Sequence, residues 1–559
     1  MDGFSDAFHE AKKQFAAAGA LVPGADLNDP WPFQCLGHDR GRFFVYTTEG
    51  RQVLSLSAKD LSSHGELMKL GRLAWFEANY PGREAFNARQ AANEIMRACY
   101  KQGVFSPDVL RGRGVWLDDG RRVVHLGDRL LVDGIPTRLE NHQSASIYEQ
   151  ASPLDVTLGV PLSDAEGAAI LRTCQALALE NPERDGALLA GWIVSAMIGG
   201  ALHWRPHLWM LGEAGGGKTW TMDNLVRPML GPLAVVLQGK TTEAGIRGKL
   251  GYDARPVLFD EAETQSDMDR ARMQQAIDLA RQASSDDSGA IVKGTKDGGA
   301  RSYVMRASFL FSSINAGLTQ SADESRFATI SLTGGSADQF ANLKASHAAA
   351  MVENVNGRLL ARVLAMVPTI RANADRLAEA IARTGAGRRA GDTIGTLIAC
   401  QMALESGEQL TAETAAAYLA ARQWLKDAAQ AAKAQPEYER ALAHLMQQEG
   451  MRRTVNGRNE ALTISELVSA CYAWVEEIDH READATLRRL GMRVMDGRLL
   501  IGNRSSEVGK RFANTPWGAG WSATLARLPD AKRGIPTRFT PGYQDKALSL
   551  PLSYIMGGA

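Results

Sequence analysis

The sequence predicts an α/β chain: a largely parallel sheet near its middle, a helical segment after it, and a smaller mixed domain at each end. Three observations carry this. Short apolar strands alternate with helical stretches from about 205 to 335, the pattern of a parallel sheet crossed by helices. Residues 336–432 are Ala-rich, with helical and no strand signal. Both ends hold short alternating runs around turn residues such as Asp118-Asp119-Gly120 and Asp496-Gly497. A chain of 559 residues is several domains, placed at 1–155, 160–335, 336–432 and 437–559.

Composition narrows the class. Hydrophobic residues make up 45% and charged residues 23%, which excludes a disordered, collagen-like or coiled-coil chain. Lys+Arg and Asp+Glu are 63 each, so any basic surface is local. The five cysteines are scattered and odd in number, which argues against a disulfide framework or a Cys-paired zinc site and for a reducing cytoplasm. Charges through Met1–Gln14 exclude a signal peptide. Gly186–Trp204 is nearly uncharged but broken by Gly191, Gly199 and Gly200, and is expected to be a buried helix with no membrane role.

In chain order, Arg42–Thr47 and Arg51–Leu56 read as strands around Thr48-Glu49-Gly50, Arg83–Gln102 as a helix, and 114–117, 122–126 and 130–132 as a meander. Asn141–Pro153 reads as a polar linker. The capping-box pattern Ser163-Asp-Ala-Glu166 opens the next helix.

The apolar strand His207–Leu211 then runs into Gly212-Glu-Ala-Gly215-Gly216-Gly217-Lys218-Thr219 and a helix. This is G-x-x-x-x-G-K-T in strand–loop–helix context. Glycines let backbone N–H groups converge on phosphate oxygens, lysine reaches the β- and γ-phosphates, and the threonine hydroxyl takes magnesium. Gly212, Gly215, Gly216, Gly217, Lys218, Thr219 and Trp220 are therefore the expected contacts of ATP, with Thr219 as a Mg2+ ligand.

A hydrolytic site also needs acids at the end of a second strand. Pro256–Phe259 ends in Asp260-Glu261, 42 residues past Lys218 (260 − 218). Asp260 is expected to hold magnesium and Glu261 to activate the attacking water. A third strand, Ala307–Ile314, ends in Asn315, whose amide suits the γ-phosphate or that water. Arg326 follows, an arginine placed to stabilise transition-state charge on a neighbouring subunit's nucleotide.

The ordered set Gly212–Thr219, Val257–Glu261, Ile291–Arg301, Phe309–Asn315 and Ser325–Phe327 resembles the AAA+ ATPases, specifically the superfamily 3 type of phage, plasmid and viral replicative helicases. The resemblance covers about 205–335. It implies an α/β P-loop core with a helical lid, a hexameric ring, and a β-hairpin before the third strand that grips single-stranded DNA in the central channel. Ala290–Tyr303 fits that hairpin, with Lys293, Lys296 and Arg301 as phosphate contacts; the family's histidine at the hairpin tip has no counterpart. No primase chemistry is found in 1–155.

Near the C-terminus, the capping-box pattern Thr463-Ile-Ser-Glu466 starts a helix, Arg481–Leu490 a second, and Met492–Ile501 a hairpin, an order that resembles a winged helix. From 481 to 546 thirteen basic residues face six acidic ones, and Arg488, Arg489, Lys510 and Arg511 are the expected duplex contacts. The function expected is an ATP-hydrolysing hexameric DNA translocase or helicase of phage or mobile-element replication, cytoplasmic, with other replication proteins as partners and no membrane. A helicase loader or initiator, or an ATP-switched protein scaffold, are the alternatives.

Overall fold

The computed structural model describes residues 31–556 except 84, 239, 261–266, 287–290, 295–299, 304, 315–320, 432–435, 456–457, 474–477, 514 and 519. The chain divides into two compact units, one of residues 1–317 and 325–433, the other of 318–324 and 434–559.

The first unit is built on a five-stranded, all-parallel sheet: β1 (His207–Gly212), β2 (Val235–Gln238), β3 (Val257–Asp260), β4 (Phe309–Ser313) and β5 (Phe327–Leu332). The spatial order is β2-β3-β4-β1-β5. The three inner strands, β3, β4 and β1, are buried on both faces, so they read as near-continuous apolar runs. Trp209, Phe259, Phe309 and Phe311 are no more than 1% exposed, and Trp209 stacks on Phe311 at 5.0 Å.

The helices of the same unit bury the apolar stretch flagged in the sequence: Pro182–Met197 is interior along nearly its whole length. It packs against Arg388–Glu405, which runs beside Val355–Ile381. The contact is close enough that a Cβ on Gly191 would lie 2.0 Å from the Leu397 carbonyl, so only glycine fits there. No helix among the described residues is long and apolar enough to cross a membrane. Ser163 closes the expected capping box with Glu166.

The N-terminal residues form two meanders. The first, Phe33–Asp39, Arg42–Thr47 and Val53–Ser57, packs on the helix Ala88–Gln102 through an aromatic cluster including Phe33, Phe76 and Phe86. That helix starts at Ala88 rather than Arg83, because Asn87 caps it by accepting from Gln90 N. The second, Gly114–Asp118, Arg121–His125, Leu130–Val132 and Ile135–Thr137, adds Val115, Val124 and Leu131 to the same apolar cluster as the helices around the parallel sheet. Arg113 clamps Asp253 through Nε at 3.0 Å and Nη2 at 2.7 Å. The expected linker at 141–153 is structured: Ile147–Tyr148 pairs with Leu110–Arg111, and His142 is buried against Asp118.

The second unit has its own core, with Leu445, Ile464, Leu467, Leu487, Ile501, Phe512 and Leu548 all 0% exposed. The expected helix–helix–hairpin is present as Ile464–Tyr472, His480–Arg489 and Met492–Met495 with Arg498–Gly502. The hairpin is not a free two-stranded wing. It forms one side of a four-stranded antiparallel sheet completed by the long strands Tyr543–Pro551 and Lys532–Thr540.

Candidate active site

In an open parallel sheet, ligands bind beyond the carboxyl ends of the strands, where neighbouring connections part. Here β4 lies between β1 and β3, so the loop after β1 and the acid ending β3 face each other across the tip of β4. β1 is held from its other end by His207, whose Nε2 donates to the Ala280 carbonyl at 2.6 Å while Nδ1 accepts from Phe309 N at 3.1 Å. Burial pushes this imidazole down to about 3, so it is neutral.

Past Gly212 the backbone turns through Gly215 (φ 80°) and Gly217 (φ 94°), conformations that L side chains rarely adopt. Gly217 caps the helix that begins at Lys218. Lys218 Nζ donates back to its own loop, to the carbonyls of Gly212 and, at 3.0 Å, Glu213.

A cleft of about 390 Å³ gathers Glu213, Gly215, Gly217, Lys218, Thr219, Trp220, Asp260 and Ser312. Five of the residues assigned to ATP and both assigned to magnesium thus line one space. The Thr219 hydroxyl and Asp260 carboxylate are hard oxygen donors. Such a pair suits a magnesium ion that keeps its remaining ligands on water and phosphate. No cluster of three or more His, Cys, Asp or Glu that would hold an ion unaided occurs among the described residues.

A second cleft of about 280 Å³ opens from the same loop. It shares Gly215, Gly217 and Trp220 with the first, adds Gly216, and is closed by Ala178, Leu332, Gln339, Phe340 and Leu343. Its wall is mainly apolar, with the Trp220 and Phe340 rings edge to face at 6.1 Å. Gln339, Phe340 and Ala178 were not singled out in the sequence, since nothing local marks them; helix packing brings them to the loop.

Glu261, Asn315 and Lys296 lie outside the described residues. Lys293 and Arg301 stand directly opposite each other in the antiparallel ladder of Ile291–Gly294 and Ala300–Tyr303. Arg326 is remote from the cleft. It precedes Phe327, which pairs with His207 at the start of β1, whereas the glycine loop leaves β1 at Gly212. A strand of six residues separates them, about 20 Å at ~3.3 Å per residue. At that edge the Arg326 guanidinium lies 6.0 Å from the Trp204 ring centroid.

In the second unit, Arg488 pairs with Asp484 at 2.7 Å and Lys510 with Glu507 at 2.7 Å. Arg511 is largely covered; it donates to the Glu449 carbonyl at 2.9 Å and braces the 449–463 hairpin. Arg489 Nε donates to the Ala485 carbonyl at 3.3 Å on its own helix.

No protein-family model and no curated protein matches the chain. Among solved structures it is similar to the SCCmec type IV Cch active helicase, at 12% identity over 94% of this chain and 95% of that one, with a TM-score of 0.44. It is also similar to the apo C-terminal region of NrS-1, at 10% identity over 77% of this chain and 96% of that one, TM-score 0.26. At these scores function rests on the residues themselves.

Proposed function

We propose that the protein is an ATP-hydrolysing DNA translocase, a helicase of phage or mobile-element replication that works as a homo-oligomeric ring. The observation that carries this is the convergence of Lys218, Thr219 and Asp260 on one cleft at the carboxyl ends of β1 and β3. Lys218 leaves the Gly212 and Glu213 carbonyls for the β- and γ-phosphates. Thr219 and Asp260 hold magnesium, which neutralises charge building on the phosphoryl oxygens. Glu261, next to Asp260, takes the proton of the attacking water, and Asn315, two residues past the end of β4, orients that water. The adjoining apolar cleft takes the adenine ring against Trp220.

Arg326 fits a role in trans. Its own nucleotide loop is a strand length away, so its charge serves a neighbour's γ-phosphoryl group. The hairpin with Lys293 opposite Arg301 contacts single-stranded DNA, and the exposed arginines and lysines of 437–559 contact duplex. In this reading 160–335 is the ATPase core, 336–432 its lid, and 1–155 a module that binds substrate or partners.

The test pairs ATPase with strand displacement on a forked duplex. Lys218→Ala should lower the ATPase rate at least a hundredfold and abolish displacement, with an unchanged melting temperature. ATPase close to that of the unaltered protein removes the nucleotide reading. Intact ATPase without displacement identifies a loader or a switch.

A further inference from the structure

Ser312 takes no part in the reading above. It lies on β4, between β1 and β3, and is 0% exposed. Successive strand residues point to opposite faces. The next serine, Ser313, accepts a hydrogen bond from Trp209 Nε1 at 2.8 Å on one face. Ser312 faces the other way and lines the floor of the cleft with Lys218, Thr219 and Asp260. The ladder pairs Phe259 with Phe311, so the next residues, Asp260 and Ser312, stand side by side near the carboxyl ends of β3 and β4. Among the described residues the Ser312 hydroxyl has no hydrogen-bond partner. A buried hydroxyl left unpaired costs folding stability, and such groups are rare enough in native interiors to need a reason.

The geometry points to Ser312 as a further binding residue for the magnesium–triphosphate group, its hydroxyl hydrogen-bonding the water shell of the ion that Thr219 and Asp260 hold. This rests on the nucleotide reading. It adds a neutral hydroxyl beside the Asp260 carboxylate, one able both to donate and to accept, which suits a metal-bound water as well as a phosphate oxygen. The bond is made only when the ligand is present, so all of its energy appears as affinity.

Two serines make the test sharp. Ser308, four residues earlier, is equally buried and its hydroxyl is likewise unpartnered, but it does not line the cleft. Binding of a fluorescent, non-hydrolysable ATP analogue is measured with Mg2+ and with EDTA, beside melting curves without nucleotide. Ser312→Ala should melt at or above the temperature of the unaltered protein. It should weaken Mg2+-dependent binding roughly five- to tenfold, the worth of one hydrogen bond, and leave binding in EDTA within twofold. Ser308→Ala should leave both unchanged, and Ser312→Thr, which keeps the hydroxyl, should bind within about twofold of the unaltered protein. Ser312→Ala binding normally while Lys218→Ala has lost the analogue overturns the Ser312 assignment and leaves the nucleotide reading standing. So does a drop in melting temperature for Ser312→Ala alone, which assigns the hydroxyl to the fold. Absence of analogue binding by the unaltered protein ends both.

Discussion

The Lys218 ammonium rests on two carbonyls of the loop it rises from; in the nucleotide reading proposed above, a phosphate would exchange one set of oxygens for another. The buried histidines make the residue-scale prediction about pH. Burial pushes His207 down to about 3 and His125 down to about 4. Both fall below the ~6.5 of an unfolded imidazole, so the unfolded chain binds the extra protons and acid favours it. Their stability contribution is whole above pH ~6.5 and is lost on the way down. Each removes about 1.4 kcal/mol per pH unit once the unfolded imidazole is protonated. Urea midpoints at pH 7.5 and 5.0 should differ markedly; equal midpoints would place these rings in water. The glycine loop and Asp260 were legible because their chemistry is written in contiguous residues of restricted type. Ser312, Gln339 and Phe340 were not. Serine is too common to signal anything, and the last two reach the loop only through packing of a distant helix.

Elements were legible where a local rule fixed them. Ser163 and Thr463 close their capping boxes where the S/T-x-x-E spacing put them. The helix start expected at Arg83 was early, because the cap sits at Asn87 and the helix begins at Ala88. The long C-terminal strands were missed for a physical reason: Lys532–Thr540 carries Gly534 and Pro536, two residues that argue against a strand, and its ladder shifts register between Lys532 and Ile535. A shift of register absorbs what a regular ladder would refuse. At this scale the Ile291–Tyr303 hairpin makes the next prediction. With Lys293 opposite Arg301, two cations share one rung. Lys293→Ala with Arg301→Ala should cut single-strand affinity about tenfold or more at low salt, flatten its salt dependence by roughly two phosphates' worth, and spare basal ATPase. An unchanged salt slope would remove the hairpin from the DNA path.

For the whole molecule, the arrangement of Arg326 and the glycine loop decides what a single chain can do. They sit at opposite ends of two adjacent parallel strands, and no hinge within a six-residue strand brings them together. Arg326→Ala and Lys218→Ala proteins should each be inactive alone and regain part of the ATPase when mixed, with a recovery that rises with total protein concentration. Demonstrably mixed assemblies without recovery would make Arg326 a structural partner of Trp204. The spacing of 212, 260 and 326 along the chain does not by itself disclose that geometry; it follows from the parallel pairing of β1 with β5, which sets Arg326 beside the start of β1 and the glycine loop beside the end of β5.

The strand order also bears on how the molecule comes into being. The middle strand of the site, β4, is made after both of its neighbours. A nascent chain that has released residue 260 already carries the glycine loop, the lysine and the acid, yet has nothing to space β1 from β3. Synthesis must pass residue 313 before the two can be locked at their final distance. Until then the apolar edges of β1 and β3 are open to each other and to any other strand in reach, a long-range closure of the kind that folds slowly and invites mispairing. The interval of roughly fifty residues between them is therefore the stretch of translation in which a chaperone has most to protect.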